Sequence, residues 1–194
     1  MMKKTPYKVS VAVRMYNAEQ HISRCVTSLM LQSYQNIEYV FLDDCSTDET
    51  INIVESISRK FSDRAHHVRI VRHNRNLGRA ISQNDVLREC SGDFVYVVDA
   101  DDYIEHDTIS TLVKEQILSG ADIVSAGFYM NDYEIDPRFT NPLHKDREEM
   151  LISMLSQVWH HELCGRLIRR SLIENNHIST PPMLSCVKIG LWCR

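Results

Sequence analysis

Lys8 to Val13 is an almost unbroken apolar run and reads as a buried strand. Beyond Tyr16-Asn17, the apolar positions Ile22, Cys25, Val26, Leu29 and Met30 recur at helical spacing, as on a helix with one face turned to a core. Ile37 to Leu42 gives a second strand. Ser46-Thr47-Asp48-Glu49 then has the form of a capping box, predicting a helix that carries Ile51, Val54, Ile57 and Phe61. A third strand is expected over Val68 to Val71. Asn76-Leu77-Gly78 opens a helical segment that runs to the neighbourhood of Cys90, and Ser91-Gly92 stops it ahead of a strand from Phe94 to Val98. Asp107 stands where it can cap a helix through Ile109, Leu112, Val113 and Ile117, closed by Gly120; Ile123 to Ala126 makes a fifth strand.

Strands that alternate with helices in this way predict an α/β fold. A parallel pair needs a crossover connection and both sheet faces must be covered, so a mainly parallel, twisted sheet with helices on both faces is expected, Rossmann-like in its first half. The text changes at Gly127: Asn131 to Asp146 is polar with two prolines, a helix is expected around Met150 to Trp159, and an Arg-rich and then irregular stretch follows. We read residues 1–194 as a single domain, with 8–126 as the ligand-binding half and 127–194 as a shortened flap or acceptor-side half.

Composition narrows the function classes. The chain has 194 residues, 43% hydrophobic, with a net charge of -4 and its Lys and Arg residues scattered, so it lacks the basic stripe that neutralises phosphates and no nucleic-acid partner is expected. No apolar run approaches the roughly 18 residues of a membrane span. The N-terminus lacks the form of a signal peptide. A cytoplasmic protein with no transmembrane segment is expected, which leaves room for peripheral membrane association. The six cysteines are far apart and form no zinc-type pair, so reduced structural thiols are expected.

In an open α/β sheet the ligand lies beyond the carboxyl ends of the strands, which gives polar residues immediately after strands particular weight. Tyr16-Asn17 follow the first strand, Asp43-Asp44 the second, and Asp99, Asp101 and Asp102 the strand ending at Val98. Carboxylates gathered at one sheet edge repel one another unless a positive group is bound among them, and a divalent cation is the economical explanation. Asp99 and Asp101 are two apart, so in extended backbone they project to one side. Mg²⁺ or Mn²⁺ takes only one or two protein carboxylates when phosphate oxygens complete its shell. Asp102 serves equally well as a turn or cap residue.

The motifs, in order, are Val9-Ser10-Val11-Ala12-Val13 with Tyr16-Asn17-Ala18-Glu19, Leu31-Gln32-Ser33-Tyr34, Phe41-Leu42-Asp43-Asp44-Cys45-Ser46-Thr47-Asp48, Asn76-Leu77-Gly78, and Val97-Val98-Asp99-Ala100-Asp101-Asp102-Tyr103. Over Lys8 to Ala126 this series resembles the family 2 glycosyltransferases of GT-A fold. The resemblance implies a nucleotide-sugar-dependent transferase, most simply UDP-sugar-dependent and inverting, acting on a glycan or lipid-linked hydroxyl in polysaccharide or glycoconjugate synthesis. It implies that Tyr16 packs on the nucleobase, that Asp44 accepts from the base edge, that Asp99 contacts the ribose or sugar, and that Asp101 ligates the metal. Asn17, Glu19, Asp43 and Gly78 belong to the same donor-binding motifs.

Several positions depart from the family pattern. Where many members carry Ala-Arg-Asn, this chain has Ser82-Gln83-Asn84, so the charge of that arginine is missing; Arg79 is the nearby substitute. Cys45 replaces a glycine, which makes a positive φ costlier there. Cys164-Gly165-Arg166-Leu167-Ile168-Arg169-Arg170 resembles a later segment of these enzymes that begins with tryptophan, and its arginines are read as flanking a helix. The acidic pair that ordinarily follows, with the acceptor base, is not found in Lys188 to Arg194. Glu162, beside His160 and His161, is the nearest titratable group for that role. Two alternatives stand beside a transferase: a nucleotide-sugar binder without transfer activity, and a phosphohydrolase with Asp99 as nucleophile.

Overall fold

The computed structural model describes residues 7–127 and 163–181. Their elements are β1 (Val9–Met15), α1 (Ile22–Met30), β2 (Ile37–Asp43), α2 (Thr50–Arg59), α3 (Ser62–Ala65), β3 (Val68–Arg72), α4 (Arg79–Arg88), β4 (Phe94–Asp99), α5 (Thr108–Ser119), β5 (Ile123–Ser125), β6 (Arg166–Arg169) and α6 (Arg170–Asn175). The strands form one six-stranded sheet in the order β3-β2-β1-β4-β6-β5. β1 pairs in parallel with β2 and β4, and β2 with β3, as the βα alternation predicts. Among the described residues no helix is long and apolar enough to cross a membrane.

Side-chain parity explains the two faces. Val9, Val11, Val13 and Met15 of β1 join Ile37, Tyr39 and Phe41 of β2 and Phe94, Tyr96 and Val98 of β4 in the larger core, covered by α1, α2 and α5. The intervening Ala12, Val40, Leu42, Val95 and Val97 face α4 through Val86 and Cys90. Val11, Val13 and Phe41 are fully buried, and each such side chain contributes about 1.5–3 kcal/mol of hydrophobic stabilisation. Cys25 and Cys90 lie in these cores as free thiols, and burial pushes each up to about 12, so both are inert structural residues.

Three expectations need correction. β6 is a strand where an Arg-rich helix flank was read: it runs antiparallel to both neighbours, Tyr96↔Leu167 on one side and Val124↔Leu167 on the other. Leu167 is fully buried, and Gly165 at φ 73° turns the chain into the strand. The capping box at Ser46 does not cap α2, which starts later, at Thr50. Ser46 Oγ instead accepts the Asn17 N–H at 2.9 Å, while Asp48 Oδ1 accepts the Thr50 N–H at 3.1 Å. Asp107 does occupy the N-cap position of α5, but its side chain makes no capping bond; Gly120 closes that helix in the left-handed conformation. The expected helix at Met150 to Trp159 lies outside the described residues.

A polar knot ties the amino ends of β1, β2 and β4. Glu38 accepts from Lys8 Nζ (2.6 Å), from Ser10 Oγ and from the Ser91 N–H (2.6 Å). Burial alone raises the Glu38 carboxyl, but Lys8, Ser10 and Ser91 outweigh it and bring it from 4.5 to about 2. A depressed carboxyl stabilises the fold above its unfolded value and loses that contribution as pH falls through its folded value. Glu38→Gln is therefore expected to cost about 1–2 kcal/mol at neutral pH, less than the full linkage value because Lys8 reaches into water. The difference from the parent should shrink below pH 4.5 and vanish near the folded value of about 2, as read by urea unfolding across that range.

Beside the knot, Gly92 has no space for a side chain. A Cβ there would lie 2.7 Å from the Lys8 carbonyl oxygen and 2.8 Å from the Ser10 amide nitrogen. Backbone cannot yield as a side-chain tip can, so Gly92→Ala is expected to destabilise by about 1–3 kcal/mol in denaturant titration. Gly120→Ala, where nothing lies within 4 Å, serves as the contrast: only the strain of its left-handed backbone is added, on the order of 1 kcal/mol.

Candidate functional site

The sheet order reverses at β1: the chain moves outward through β2 and β3, then returns to place β4 on the other side of β1. A crevice opens beyond the carboxyl ends of strands at such a switch point. Here it encloses about 440 Å³ and is lined by Arg14, Tyr16, Asn17, Asp44, Gly78, Arg79, Asp99 and Asp101 among others, which is the size of a small-ligand site.

Tyr16, immediately after β1, is 50% exposed and lines the cleft. Asn17 takes a positive φ of 47°, and its carboxamide oxygen accepts the Thr47 N–H at 2.9 Å. Glu19 does not line the cleft; its carboxylate accepts the Glu49 N–H at 3.1 Å, and its own N–H donates to Asp48 at 3.1 Å. Asn17 and Glu19 thus stitch the loop after β1 to the loop after β2. Cys45 adopts the positive φ of the glycine it replaces, at 69°, so the loop keeps its course at a conformational cost.

Parity separates the two aspartates after β2. Asp43 is fully buried with the core side of the strand, its Oδ2 taking the Ser46 N–H at 3.0 Å and facing Arg72 Nε at 3.2 Å, and it is absent from the cleft lining. Asp44, one residue on, turns to the cleft. Its Oδ1 meets His73 Nδ1 at 2.7 Å and the Leu77 N–H at 2.9 Å, and its Oδ2 accepts the Gly78 N–H at 2.9 Å. Burial pushes this carboxyl up, but the Leu77 N–H, His73, Ser82 and the Gly78 N–H together hold it below the ordinary carboxylate range. His73, a residue sequence reasoning passed over, also reaches Asp85 through Nε2 at 3.3 Å.

Gly78 is the N-cap of α4 at φ 85° and ψ 165°, a region that side chains other than hydrogen rarely enter, although a Cβ there would touch nothing within 4 Å. Glycine is required here by backbone conformation and not by space.

The acidic run after β4 is not extended. The Asp102 N–H donates to the Asp99 carbonyl at 3.0 Å, closing Asp99 to Asp102 into a turn, so the two-residue parity expected for Asp99 and Asp101 does not hold. The turn still leaves both in the cleft lining. Charge compensation also differs from expectation. Asp99 Oδ1 pairs with Arg14 Nη2 at 2.6 Å, and its Oδ2 with Arg79 Nη2 at 3.4 Å. With Arg72 on Asp43 and His73 on Asp44, most of the strand-end carboxylates have protein partners, so mutual repulsion alone does not call for a cation.

Asp101 is the exception: it is exposed, and among the described residues its carboxylate makes no hydrogen bond or ion pair. A free carboxylate beside a cleft fits a hard cation whose remaining shell is supplied by ligand oxygens. A second grouping, Asp99, Asp102 and Cys164, brings potential ligand atoms within 4.8 Å of one another, though Asp99 in it is already engaged by two guanidinium groups. Arg169 Nε pairs with Asp122 Oδ1 at 2.7 Å and Arg166 is buried in β6, so neither faces the cleft. Glu162, His160 and His161 lie outside the described residues.

Comparison with known proteins agrees with this geometry. Residues 10–176 match the model of glycosyl transferase family 2. Glycosyltransferase GlyA of Streptococcus pneumoniae is 35% identical over 122 residues, covering 63% of this chain and 17% of its own length. Glycosyltransferase GlyG of the same organism is 31% identical over 131 residues, covering 68% and 42%. The crystal structure of Staphylococcus aureus TarS 1-349 in complex with UDP superposes with a TM-score of 0.75 at 25% identity, over 93% of this chain and 52% of that one. The chain thus spans less than half of the two relatives and about half of that structure. The cleft at the switch point, the GT-A-like sheet and the family match coincide, and the chain belongs to glycosyl transferase family 2.

Proposed function

We propose that this chain carries the donor site of a glycosyltransferase that moves a sugar from a UDP-sugar to a hydroxyl of a glycan or lipid-linked acceptor with inversion. The observation that carries the reading is the convergence of Tyr16, Asp44, Asp99 and Asp101 on one cleft. The tyrosine ring suits a planar base. The Asp44 carboxylate, an acceptor at the cleft wall, suits the imide N–H of uracil, and Asp99 would meet the hydroxyls of ribose or sugar. Asp101 would hold Mg²⁺ or Mn²⁺, which when bound neutralises the leaving diphosphate. The protein's own contribution is positioning: the stitched loops after β1 and β2 hold the donor residues at fixed spacing, so that little ordering is left to the moment of binding.

On this reading residues 8–126 supply most of the donor half and 127–194 the acceptor side, with Glu162 as the candidate acceptor base. The phosphohydrolase alternative is disfavoured because both oxygens of Asp99 face guanidinium groups, which lowers their nucleophilicity. Calorimetry with UDP, GDP and their sugars, with and without Mn²⁺, tests the proposal. Tighter binding of UDP than GDP, strengthened by Mn²⁺, is expected; no binding of either nucleotide would overturn it. Sugar transfer to an acceptor separates a transferase from a binder that lacks the chemistry.

A further inference from the structure

Arg14 sits where an arginine is costly. It is the penultimate residue of β1, in the middle of the sheet between β2 and β4, and its side chain is 18% exposed. The strand register sets Arg14 directly opposite Asp99, and parity sends both to the α4 face, one step beyond Ala12 and Val97. Arg14 Nη2 meets Asp99 Oδ1 at 2.6 Å, and Arg14 Nε donates to Gln83 Oε1 at 3.2 Å from α4. Burial lowers the Arg14 pKa, and the charge of Asp99 works against it. A guanidinium has donors only, so the Gln83 amide must turn its oxygen to Arg14. Its Nε2 is then left buried without a partner among the described residues. An unsatisfied buried donor destabilises a fold, and the fold tolerates it here in order to seat this arginine.

Arg79 approaches the other oxygen of Asp99, but with one contact at 3.4 Å from a side chain 66% exposed. The two guanidinium groups are therefore unequal: Arg14 is fixed by Asp99 in the sheet and Gln83 on α4, whereas Arg79 rests on the rim. Asp99 without Arg14 would be a second anionic oxygen donor beside Asp101. It would compete for the cation and repel a diphosphate.

We propose that Arg14, seated by Gln83, is a positioning residue that holds Asp99 for the donor's hydroxyls and keeps it from acting as a cation ligand, so that Asp101 alone faces the metal. The inference rests on the cleft being a nucleotide-sugar site. It follows that the buried positive charge of this cleft comes from strand β1, while α4 contributes only the exposed Arg79 at its first position, Gln83 being neutral.

The test is Arg14→Met, measured by calorimetry with Mn²⁺ alone and with UDP in the presence of Mn²⁺. Freed from its partner, Asp99 should join the cation site, tightening nucleotide-free Mn²⁺ binding by about tenfold while weakening UDP by a similar factor. Damage to the fold would weaken both, so the opposite signs identify the role. Moving the charge across the contact, in the double variant Arg14→Gln with Gln83→Arg, should return both affinities toward the parent. Arg14→Lys, which keeps the charge, covers the case in which the methionine variant does not fold, and should retain parent-like Mn²⁺ binding. Unchanged nucleotide-free Mn²⁺ affinity in a folded Arg14→Met protein, or failure of the transposed pair to recover it, would overturn the proposal. If the parent binds Mn²⁺ but neither nucleotide, the donor-site reading fails instead, and the Mn²⁺ comparison still decides whether Arg14 restrains Asp99.

Discussion

Replacing Asp101 by alanine is expected to abolish the strengthening of UDP binding by Mn²⁺, a loss of about 2–4 kcal/mol or roughly 30- to 700-fold. The size follows from removing the one protein carboxylate left free for the ion while the nucleotide keeps its other contacts. Because Asp101 is exposed and without side-chain partners among the described residues, thermal stability should change by less than about 0.5 kcal/mol. Binding of UDP to the variant should equal binding to the parent in EDTA. Calorimetry in the two conditions reads the effect directly. If the ion is held instead by Asp99, Asp102 and Cys164, Asp101→Ala will leave the Mn²⁺ effect intact and Asp102→Ala will remove it.

The second large effect is at Asp44. Asp44→Ala takes the acceptor from the part-buried Leu77 and Gly78 N–H groups and from His73, leaving Gly78 with Asn76 Oδ1 alone, and is expected to destabilise by about 1–3 kcal/mol. Asp44→Asn keeps one oxygen but turns an amide N–H₂ toward donors, so it should cost less yet still fail to accept from a base. Its UDP affinity should fall to that of the parent for UDP methylated at the imide nitrogen, and methylation should then cost the variant little further. Additive losses from the substitution and the methyl group would show that Asp44 does not read the base. The depressed Asp44 carboxyl stabilises the loop above its ordinary value of 3.8 and ceases to do so as pH falls through its lower folded value. The stability gap between parent and Asp44→Asn should accordingly narrow in acid.

What the sequence disclosed depended on whether the cause was local. β1, β2 and β4 carry predominantly apolar runs whose register then delivers Tyr16, Asp44 and Asp99 to one edge, and strand-end position was enough to select them. Asp43 and Asp44 are indistinguishable as letters; only the parity of β2 buries one and presents the other. Arg14 interrupts an apolar strand and nothing local tells its role, because its partner Asp99 is 85 residues away. Ser46 has the spacing of a cap, yet the Asn17 N–H claims its hydroxyl from another loop. His73 carried no signal at all, since both carboxylates that grip it arrive through the fold. β6 was missed for a similar reason: four residues bounded by arginines have no periodicity, and their strand character comes from β4 and β5.

The place of β6 also has a bearing on how the chain assembles. Among the described residues β5 reaches the sheet by way of β6, so as the polypeptide leaves the ribosome this edge of β4, with Val95 and Tyr96, awaits its β6 partners until residues 167 and 168 emerge. Closing that gap joins segments far apart along the chain, as the pairing of β1 with β4 also does, and such non-local pairing is slow. An unprotected strand edge invites pairing with other molecules. The period between synthesis of β4 and synthesis of β6 is thus one in which this edge can pair wrongly, and a nascent chain that stalls there should engage chaperones more than one that has passed residue 169.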